Sequence, residues 1–374
     1  MKRISVVISA NSLWNIENFR AGLIKALTAR GIDVIVAAPA ERGASLPNLK
    51  VQIRPLEMDR SGMNPLADAS LAVRYFRLLR ELRPSAYLGF TIKPNIYGAL
   101  AARLAGIPAI PNVSGLGTAF IGGGILGRFV ESLYRLAFAR CEVVFFQNPD
   151  DRSLFVERRI VTVDRTRILP GSGIDLVQFS PAQPLSEAPP TFLFIGRLLA
   201  DKGVREFIDA AQLMRARYPD TRFQVLGGLD PDNRTAIRKD ELERWVADGL
   251  IEYLGPTDDV RPYITAASAV VLPSYREGLP RSLLEGGAMA RPLIATDVPG
   301  CREIVKDGVT GLLCQVRSSS SLAGAMARFA DMGVDRRQAL GDAARAKVEA
   351  EYDERAVIEA YLEVVKPLVR SEKA

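Results

Sequence analysis

The stretch VVLPSYREGLPRSLLEGG, residues 270–287, holds a strand, a loop and the start of a helix. Val270–Leu272 is an apolar run of strand length, and Pro280 is well placed as the first residue of a helix. Glu277 then lies in the strand-to-helix loop, and Glu285 lies more than one turn into the helix. A buried strand, a loop and a helix in succession are typical of a parallel α/β fold.

The two glutamates of this stretch indicate a ligand site. Eight residues of helix rise only ~12 Å, so two carboxylates on that scale could hold both ends of one elongated polar ligand. The negative centre of such a ligand could rest on the helix N-terminus, and a nucleotide-sugar has this layout. On spacing alone, a pair of surface acids near a helix start is the preferred interpretation. Gly278, Gly286 and Gly287 weaken that interpretation, because glycine permits close backbone approach.

The composition excludes several classes of function. With 374 residues, the chain is too long for one ordinary core and indicates two domains. Its 48% hydrophobic and 25% charged residues are typical of a soluble globular protein. It contains no histidine, which excludes a His-based triad and a His metal ligand or base. Its three cysteines are unclustered, which indicates reduced thiols in a cytoplasm and gives no zinc pattern.

Neither a signal peptide nor a membrane span is predicted. Met1–Arg3 runs directly into a strand-length apolar run at residues 4–8. The longest uncharged stretch, residues 104–127, is interrupted by two prolines and seven glycines. It is therefore interpreted as a strand at 107–113 followed by a glycine-rich loop, and a re-entrant or interfacial loop is the alternative.

The net charge of +6 is unevenly distributed. Residues 1–180 hold 23 Lys and Arg against 14 Asp and Glu, whereas residues 181–374 hold 26 against 29. A basic first half suits nucleic acid, an anionic membrane face or an anionic acceptor, and a solvated Arg-rich surface is the competing interpretation. Two amphipathic helices with basic faces favour the membrane, although each alone also fits a core-facing helix; their basic residues are Arg74, Arg77, Arg80 and Arg128.

Short apolar strands alternate with amphipathic helices, which predicts two doubly wound, Rossmann-like α/β domains facing across a cleft. A proline-rich linker at 181–190 separates a domain at 1–180, completed by a C-terminal helix at 354–374, from one at 181–353. First-domain strands are expected near 3–8, 32–37, 86–90, 107–113, 142–146 and 167–169, with helices near 16–30, 66–82, 95–105 and 126–140. Second-domain strands are expected near 191–195, 222–227, 251–254, 269–273, 292–296 and 311–314, with helices near 203–217, 233–247, 258–266, 280–289, 319–332 and 335–350.

Polar loops follow several of these strands, on the sheet edge where α/β proteins bind ligands. In the second domain, Gly196, Arg197 and Lys202 suit a diphosphate, and Gly227 ends another strand where a nucleotide could approach. Ordinary loop charges and a plain turn are the alternatives. The first domain lacks a G-x-G-x-x-G fingerprint. Its cleft candidates are Asn11, Asn15, Thr91, Lys93, Ser114 and Gly115.

Together these segments resemble a known family. Gly196-Arg197 with Lys202-Gly203, Glu277-x7-Glu285 and residues 299–311 (PGCREIVKDGVTG) look like the retaining glycosyltransferase family 4, which has the GT-B fold. The first-domain segments near residues 12–20, 90–98 and 112–117 look like bacterial enzymes of capsule, O-antigen and N-glycan precursor assembly. Among these, the chain resembles the N-acetylgalactosaminyltransferases that act on N,N′-diacetylbacillosaminyl-diphospho-undecaprenol.

The resemblance implies a function and roles for several residues. A retaining, metal-independent enzyme would move a sugar, an N-acetylhexosamine, from a UDP-sugar to a polyprenyl-diphosphate-linked glycan, without a cofactor. Arg197 and Lys202 would bind the donor diphosphate and act in catalysis with Glu277, which would contact the transferred sugar. Glu285 would bind the ribose, and the remaining donor-binding residues would be Gly196, Gly227, Gly278 and Leu279. The protein would sit peripherally on the cytoplasmic face of the inner membrane.

The sequence departs from the family in one place and leaves alternatives open. Many members place a histidine in the first-domain cleft, and Thr91, Lys93 or the loop 114–118 would occupy that space here. The alternatives are a transferase with a soluble acceptor, a nucleotide-sugar epimerase and a non-catalytic scaffold that holds a sugar nucleotide. A nucleic-acid binder has no motif in its support.

Overall fold

The computed structural model describes residues 4–40, 44–59, 64–116, 124–231 and 233–370. The chain divides into two compact units, each with its own sheet and core. The first unit contains the chain up to Gly173 and the segment that begins at Glu354, and the second unit is Ile174–Asp353.

The first unit is built on a parallel sheet. In its described part the sheet has seven strands in the order β3-β2-β1-β4-β5-β6-β7. The strands are β1 (Ser5–Ser9), β2 (Asp33–Ala38), β3 (Gln52–Pro55), β4 (Ala86–Phe90), β5 (Ala109–Val113), β6 (Val144–Phe146) and β7 (Thr166–Ile168). The helices are α1 (Leu13–Ala29), α2 (Pro65–Leu82), α3 (Ala99–Ala105), α4 (Gly124–Phe138), α5 (Pro149–Glu157) and, from the end of the chain, α13 (Glu354–Arg370).

The second unit repeats this plan. Among its described residues, six parallel strands follow the order β10-β9-β8-β11-β12-β13. They are β8 (Thr191–Ile195), β9 (Arg222–Leu226), β10 (Glu252–Gly255), β11 (Ala269–Leu272), β12 (Leu293–Thr296) and β13 (Gly311–Cys314). The helices are α6 (Val204–Met214), α7 (Lys239–Ala247), α8 (Arg261–Ala266), α9 (Arg281–Ala288), α10 (Cys301–Ile304), α11 (Ser319–Ala330) and α12 (Val334–Glu351).

The strand order of each sheet locates its ligand-binding edge. The order reverses between β1 and β4 in the first unit and between β8 and β11 in the second. In open α/β sheets, ligands bind outside the carboxyl ends of the strands at such a switch point. The prediction of two Rossmann-like doubly wound domains is therefore confirmed, and each switch point is a place to look for functional residues.

The strand sequences explain why both sheets are covered by helices. In β1, Val7 packs into one core cluster, whereas Val6 and Ile8 pack into the cluster on the opposite face. Successive strand side chains point to opposite faces, so a continuously apolar strand needs a cover on both sides. On one face of the first sheet that cover includes α13, whose Tyr361 and Leu362 lie fully buried in the same cluster as Val6.

Some expected boundaries differ from those observed. The units divide at Gly173 rather than near residue 180, and Ile174 and Phe179 lie in the core of the second unit. Pro280 is the residue that precedes α9, not its first residue. The strand β3 and the helix α5 were not predicted from the sequence. In the described part of the chain, no helix combines the length and apolar character needed to cross a membrane.

Candidate functional site

An ion pair occupies the switch point of the second sheet. Lys202 ends a short 3₁₀ turn after β8, and Glu277 lies in the loop after β11, the neighbouring strand. The Lys202 Nζ donates to Glu277 Oε1 at 2.5 Å, and the two side chains are only 25% and 11% exposed. The sequence placed these residues at two strand ends, and the fold brings them into contact.

Two hydroxyl groups fix the loop that carries Glu277. The Ser274 Oγ donates to the same oxygen, Glu277 Oε1, at 2.6 Å. The Thr296 Oγ1, at the end of β12, donates to the Ser274 backbone carbonyl at 2.5 Å. Ser274 and Thr296 are both buried. The ends of three adjacent strands, β8, β11 and β12, therefore hold one carboxylate.

Two glycines allow these loops to approach each other closely. At Gly203, where φ is +73°, an added Cβ would lie 2.1 Å from the Pro273 carbonyl oxygen. At Gly300, where φ is +87°, an added Cβ would lie 2.7 Å from the Glu277 Cβ. Both positions require glycine for conformation and for space. A residue with a side chain at either position would displace the loop that carries Glu277.

Arg197, predicted to bind the donor diphosphate, forms an ion pair with Asp230. Its Nη1 donates to Asp230 Oδ2 at 2.8 Å, and its side chain is 61% exposed. Gly196 and Gly227, both predicted to bind the donor, lie against each other: a Cβ on Gly227 would be 1.8 Å from the Gly196 carbonyl oxygen. The exposed guanidinium can change partner at low cost, because a surface ion pair contributes only ~0–1 kcal/mol.

Glu285 lies within α9 and is paired with its neighbour on the helix. The Arg281 Nε donates to Glu285 Oε1 at 2.9 Å, and Glu285 is only 9% exposed. Burial raises the pKa of the Glu285 carboxyl above its ordinary value, while the charge and hydrogen bond of Arg281 act in the opposite direction. A buried carboxylate with one cationic neighbour retains capacity to accept a further hydrogen bond.

The glycines after Glu285 serve packing, which corrects one sequence interpretation. A Cβ on Gly286 would lie 2.8 Å from the Val270 side chain, and one on Gly287 would lie 3.0 Å from the Val348 side chain. These glycines let α9 lie close to β11 and α12. Gly286 and Gly287 therefore indicate close packing of the helix rather than close approach of the backbone to a ligand. Gly278 is buried beside Glu277, and Leu279 is half-buried and packs against the core of the second unit.

In the first unit, Lys93 is already paired. Its Nζ donates to Asp68 Oδ1 at 2.7 Å, and both side chains are largely buried. The Tyr97 hydroxyl donates to the other oxygen, Asp68 Oδ2, at 3.0 Å. Burial, followed by the hydrogen bond to Asp68, raises the pKa of Tyr97 well above its ordinary value. Lys93 was expected to meet a phosphate or a sugar oxygen; in this structure it anchors the start of α2 to the end of β4.

Thr91 combines backbone strain with an unsatisfied hydroxyl. It follows β4 at the switch point of the first sheet, and its φ is +70° although its side chain is β-branched. Its Oγ1 is buried and has no hydrogen-bond partner among the described residues, and the same holds for Asn15 Oδ1 in the first turn of α1. Strain of this kind costs on the order of 1–3 kcal/mol and is concentrated at functional sites.

The other first-unit candidates lie on the same sheet edge. Asn11 follows β1 and is half-buried, and Ser114 and Gly115 follow β5 and are also half-buried. The predicted loop 114–118 continues beyond residue 116, outside the described residues.

The basic residues predicted to meet a membrane differ in their surroundings. Arg74 is held by Ser70 and by the Glu57 carbonyl, at 2.7 and 2.9 Å. Arg77, Arg80 and Arg128 are exposed. Phe129, next to Arg128, is 54% exposed, so an apolar ring accompanies the charge on α4.

Sequence reasoning missed four residues of these sites, and their positions in the chain explain why. Ser274, Asp230 and Asp68 each hold a predicted site residue, and Tyr97 holds Asp68, but only their tertiary contacts identify them. Ser274 had a weak signal, because it lies two residues after an apolar strand. Among the described residues, no group of three or more His, Cys, Asp or Glu side chains could hold a metal ion.

Two family models match the chain, one in each unit. Residues 16–171 match a model described as a glycosyl transferase 4-like domain. Residues 189–331 match a model described as glycosyl transferases group 1. Together the two matches cover most of the chain.

Two relatives resemble the chain over much of its length. One is the N,N'-diacetylbacillosaminyl-diphospho-undecaprenol alpha-1,3-N-acetylgalactosaminyltransferase of Campylobacter jejuni, 28% identical over 96% of this chain and 97% of that protein. The other is the UDP-Gal:alpha-D-GlcNAc-diphosphoundecaprenol alpha-1,3-galactosyltransferase of Escherichia coli, 24% identical over 71% of each chain.

Solved structures share the fold over nearly the whole chain. Sucrose-phosphate synthase from Thermosynechococcus elongatus superposes with a TM-score of 0.81 at 18% identity, covering 99% of this chain and all of that one. Anabaena HepE, solved in complex with UDP and glucose, superposes with a TM-score of 0.75 at 16% identity, covering 97% of this chain and all of that one. At these identities the likeness concerns the fold.

Proposed function

The chain belongs to the glycosyltransferases with the GT-B fold, and on that premise we propose a retaining transfer from a UDP-sugar to a lipid-linked acceptor. The sugar is an N-acetylhexosamine, and the acceptor is a glycan on a polyprenyl diphosphate. The single observation that carries the donor assignment is the Lys202–Glu277 pair at the switch point of the second sheet. The names of the two relatives support the acceptor, because both contain diphospho-undecaprenol.

The donor assignment follows from the chemistry of the second-unit residues. Lys202 and Arg197 supply positive charge for the diphosphate, and Arg197, whose side chain is exposed, has to leave only the half-buried Asp230. The N-terminus of α9, four residues after Glu277 in the chain, adds partial positive charge. Glu285 accepts hydrogen bonds from the ribose hydroxyls. Glu277, which is hydrogen-bonded to Ser274 and, before the donor binds, to Lys202, accepts a hydrogen bond from a hydroxyl of the transferred sugar.

The proposed reaction needs no protein nucleophile and no metal ion. The bond between the anomeric carbon and the diphosphate oxygen breaks, and the acceptor oxygen forms its bond on the same face. The acceptor proton passes to the departing diphosphate oxygen. Once they have exchanged Glu277 and Asp230 for the diphosphate, Lys202 and Arg197 stabilise the negative charge that develops on it. A chelator should leave the transfer rate unchanged.

The first unit is proposed to bind the acceptor on an anionic membrane. Thr91 and Asn15 offer buried oxygens without hydrogen-bond partners in the described part of the chain, and such oxygens suit the hydroxyls of a glycan. The exposed Arg77, Arg80 and Arg128 suit the phosphate groups of the membrane and of the lipid diphosphate. We place this peripheral contact at the cytoplasmic face of the inner membrane, where UDP-sugars are available.

The test measures transfer of labelled N-acetylhexosamine from its UDP-sugar to an undecaprenyl-diphosphate glycan. Glu277→Ala and Lys202→Ala should each abolish transfer while the protein stays folded by circular dichroism. Glu241→Ala is the matched control, because it removes a glutamate of comparable geometry, paired with Arg205 at 2.7 Å, in the same unit. Full transfer by the Glu277→Ala protein would refute the assigned role. Transfer to a water-soluble acceptor alone would favour a soluble-acceptor enzyme.

A further inference from the structure

We infer that Ser274 is a positioning residue that presents one oxygen of Glu277, Oε2, to the transferred sugar. The inference rests on the proposed function and deepens it, because it assigns the contact to one oxygen of the carboxylate. Ser274 lies two residues after the end of β11 and three residues before Glu277. It is fully buried, so its hydroxyl does not exchange partners with bulk water.

The two donors at Glu277 converge on the same atom. Lys202 Nζ and Ser274 Oγ both donate to Oε1, at 2.5 and 2.6 Å. Among the described residues, no donor forms a hydrogen bond to Oε2. This oxygen is also not one of the fully buried atoms that lack a partner, so it is at least partly accessible. Two donors on one oxygen fix the rotation of the carboxylate and leave the other oxygen accessible as an acceptor. A sugar hydroxyl is a donor that this oxygen can take.

The position of Ser274 is itself fixed by the next strand. Thr296 Oγ1 donates to the Ser274 carbonyl at 2.5 Å, and β12, which ends at Thr296, pairs with β11. Thr296 is 1% exposed. The chain of hydrogen bonds from Thr296 through Ser274 to Glu277 therefore runs across two strand ends inside the protein. Buried networks of this kind are rigid when each member has its partner.

Ser274 has a role that Lys202 cannot fill. When the UDP-sugar binds, its diphosphate and the Glu277 carboxylate compete for the Lys202 ammonium. The diphosphate therefore attracts Lys202 away from Glu277. The Ser274 hydroxyl is neutral, and its hydrogen bond to Glu277 does not depend on the charge of the ligand. Ser274 thus keeps the carboxylate oriented during the step in which Lys202 moves towards the diphosphate.

The experiment compares binding of UDP with binding of UDP-N-acetylhexosamine by titration calorimetry, together with kcat. In the Ser274→Ala protein, UDP should bind as in the native protein, because UDP lacks the sugar. The extra affinity contributed by the sugar should fall, and kcat should fall roughly 10- to 100-fold, as expected for loss of a hydrogen bond to a charged group. Ser268→Ala is the matched control. Ser268 lies before the opposite end of β11, and its Oγ accepts a hydrogen bond from the Thr191 backbone amide at 3.0 Å.

A second variant and a double variant keep the inference falsifiable. Ser274→Cys, which is nearly isosteric but a weak donor, should show the same defect in smaller measure even where Ser274→Ala folds poorly. In a Glu277→Ala background, Ser274→Ala should cause no further loss of sugar-dependent affinity. An additional loss in that background, or native kcat in both Ser274 variants, would overturn the inference. Absence of transfer and of UDP-sugar binding in the native protein would instead refute the proposed function.

Discussion

Replacing Gly300 by alanine tests how tightly the loops of the second unit hold Glu277. Gly300 precedes α10 with φ of +87°, and an alanine Cβ there would lie 2.7 Å from both the Cβ and the carbonyl oxygen of Glu277. Real Cβ atoms do not approach so closely, so the backbone at Glu277 must move. A shift of about 1 Å in a positioned group can lower a rate by roughly 100-fold.

The effect of Gly300→Ala on the free energy of unfolding has two unfavourable parts and one favourable part. A residue with a side chain in a left-handed conformation costs about 1–2 kcal/mol relative to glycine. Overpacking adds about 1–3 kcal/mol. Reduced entropy of the unfolded chain returns about 0.4–1 kcal/mol in favour of alanine. From the midpoints of these ranges, we expect Gly300→Ala to lower the free energy of unfolding by about 3 kcal/mol.

Gly308→Ala is a matched control within the same region. Gly308 also has positive φ, +70°, but an added Cβ would meet no atom within 4 Å. Gly308→Ala should lower the free energy of unfolding by about 1 kcal/mol, which is the conformational part alone. It should leave transfer near the native rate. Urea unfolding gives both free energies, and initial rates with a UDP-sugar give the activities. Equal unfolding free energies for the two variants, with transfer retained by Gly300→Ala, would refute the argument.

Three further predictions concern other sites. Thr91→Gly should raise the free energy of unfolding by about 1 kcal/mol, because it relieves a left-handed backbone and removes an unpaired buried hydroxyl; transfer should fall, and a variant no more stable than the native protein would contradict the strain. Glu285 has a raised pKa, so the folded state holds its proton more tightly than the unfolded chain does, and stability should decline as pH rises above the ordinary value of 4.5. In urea unfolding at several pH values, Glu285→Gln should make that decline shallower, and UDP binding should weaken; an unchanged pH profile would contradict the role of burial. Reversing the exposed charges with Arg77→Glu and Arg80→Glu should weaken binding to anionic vesicles, by about 1 kcal/mol for each arginine lost, without weakening UDP binding; unchanged sedimentation with vesicles would exclude this surface as the membrane contact.

The fold could be predicted where the sequence marks its own boundaries. The strand at 191–195 was predicted with its observed bounds, because Pro190 precedes the apolar run and Gly196 follows it. The edge strand β3, Gln52–Pro55, was missed because it is short and partly exposed, so it lacks an apolar run. The helix α5 was missed for a similar reason, since only Asp151 and Phe155 among its nine residues are buried.

The candidate site could be predicted only as far as local motifs reach. Lys202 and Glu277 lie in recognisable loops, but the contact between their side chains cannot be inferred from the sequence of either loop. Asp68 lies far from Lys93 in the chain, and their pairing follows from the packing of α2 on the segment after β4. The unpaired hydroxyl and positive φ of Thr91 are likewise invisible in the sequence, because any β-strand end can carry a threonine.

The return of α13 to the first unit makes the second unit an insertion within the first. The two places where the chain passes between units lie side by side: Ile174 donates its backbone amide to the Tyr352 carbonyl at 2.9 Å, and Gly173 packs on the backbone of Glu354. An insertion whose ends adjoin can be excised as one piece. The second unit can therefore be exchanged between related proteins as one segment, through two junctions, after residue 173 and after residue 353, that are far apart in the gene but adjacent in the fold.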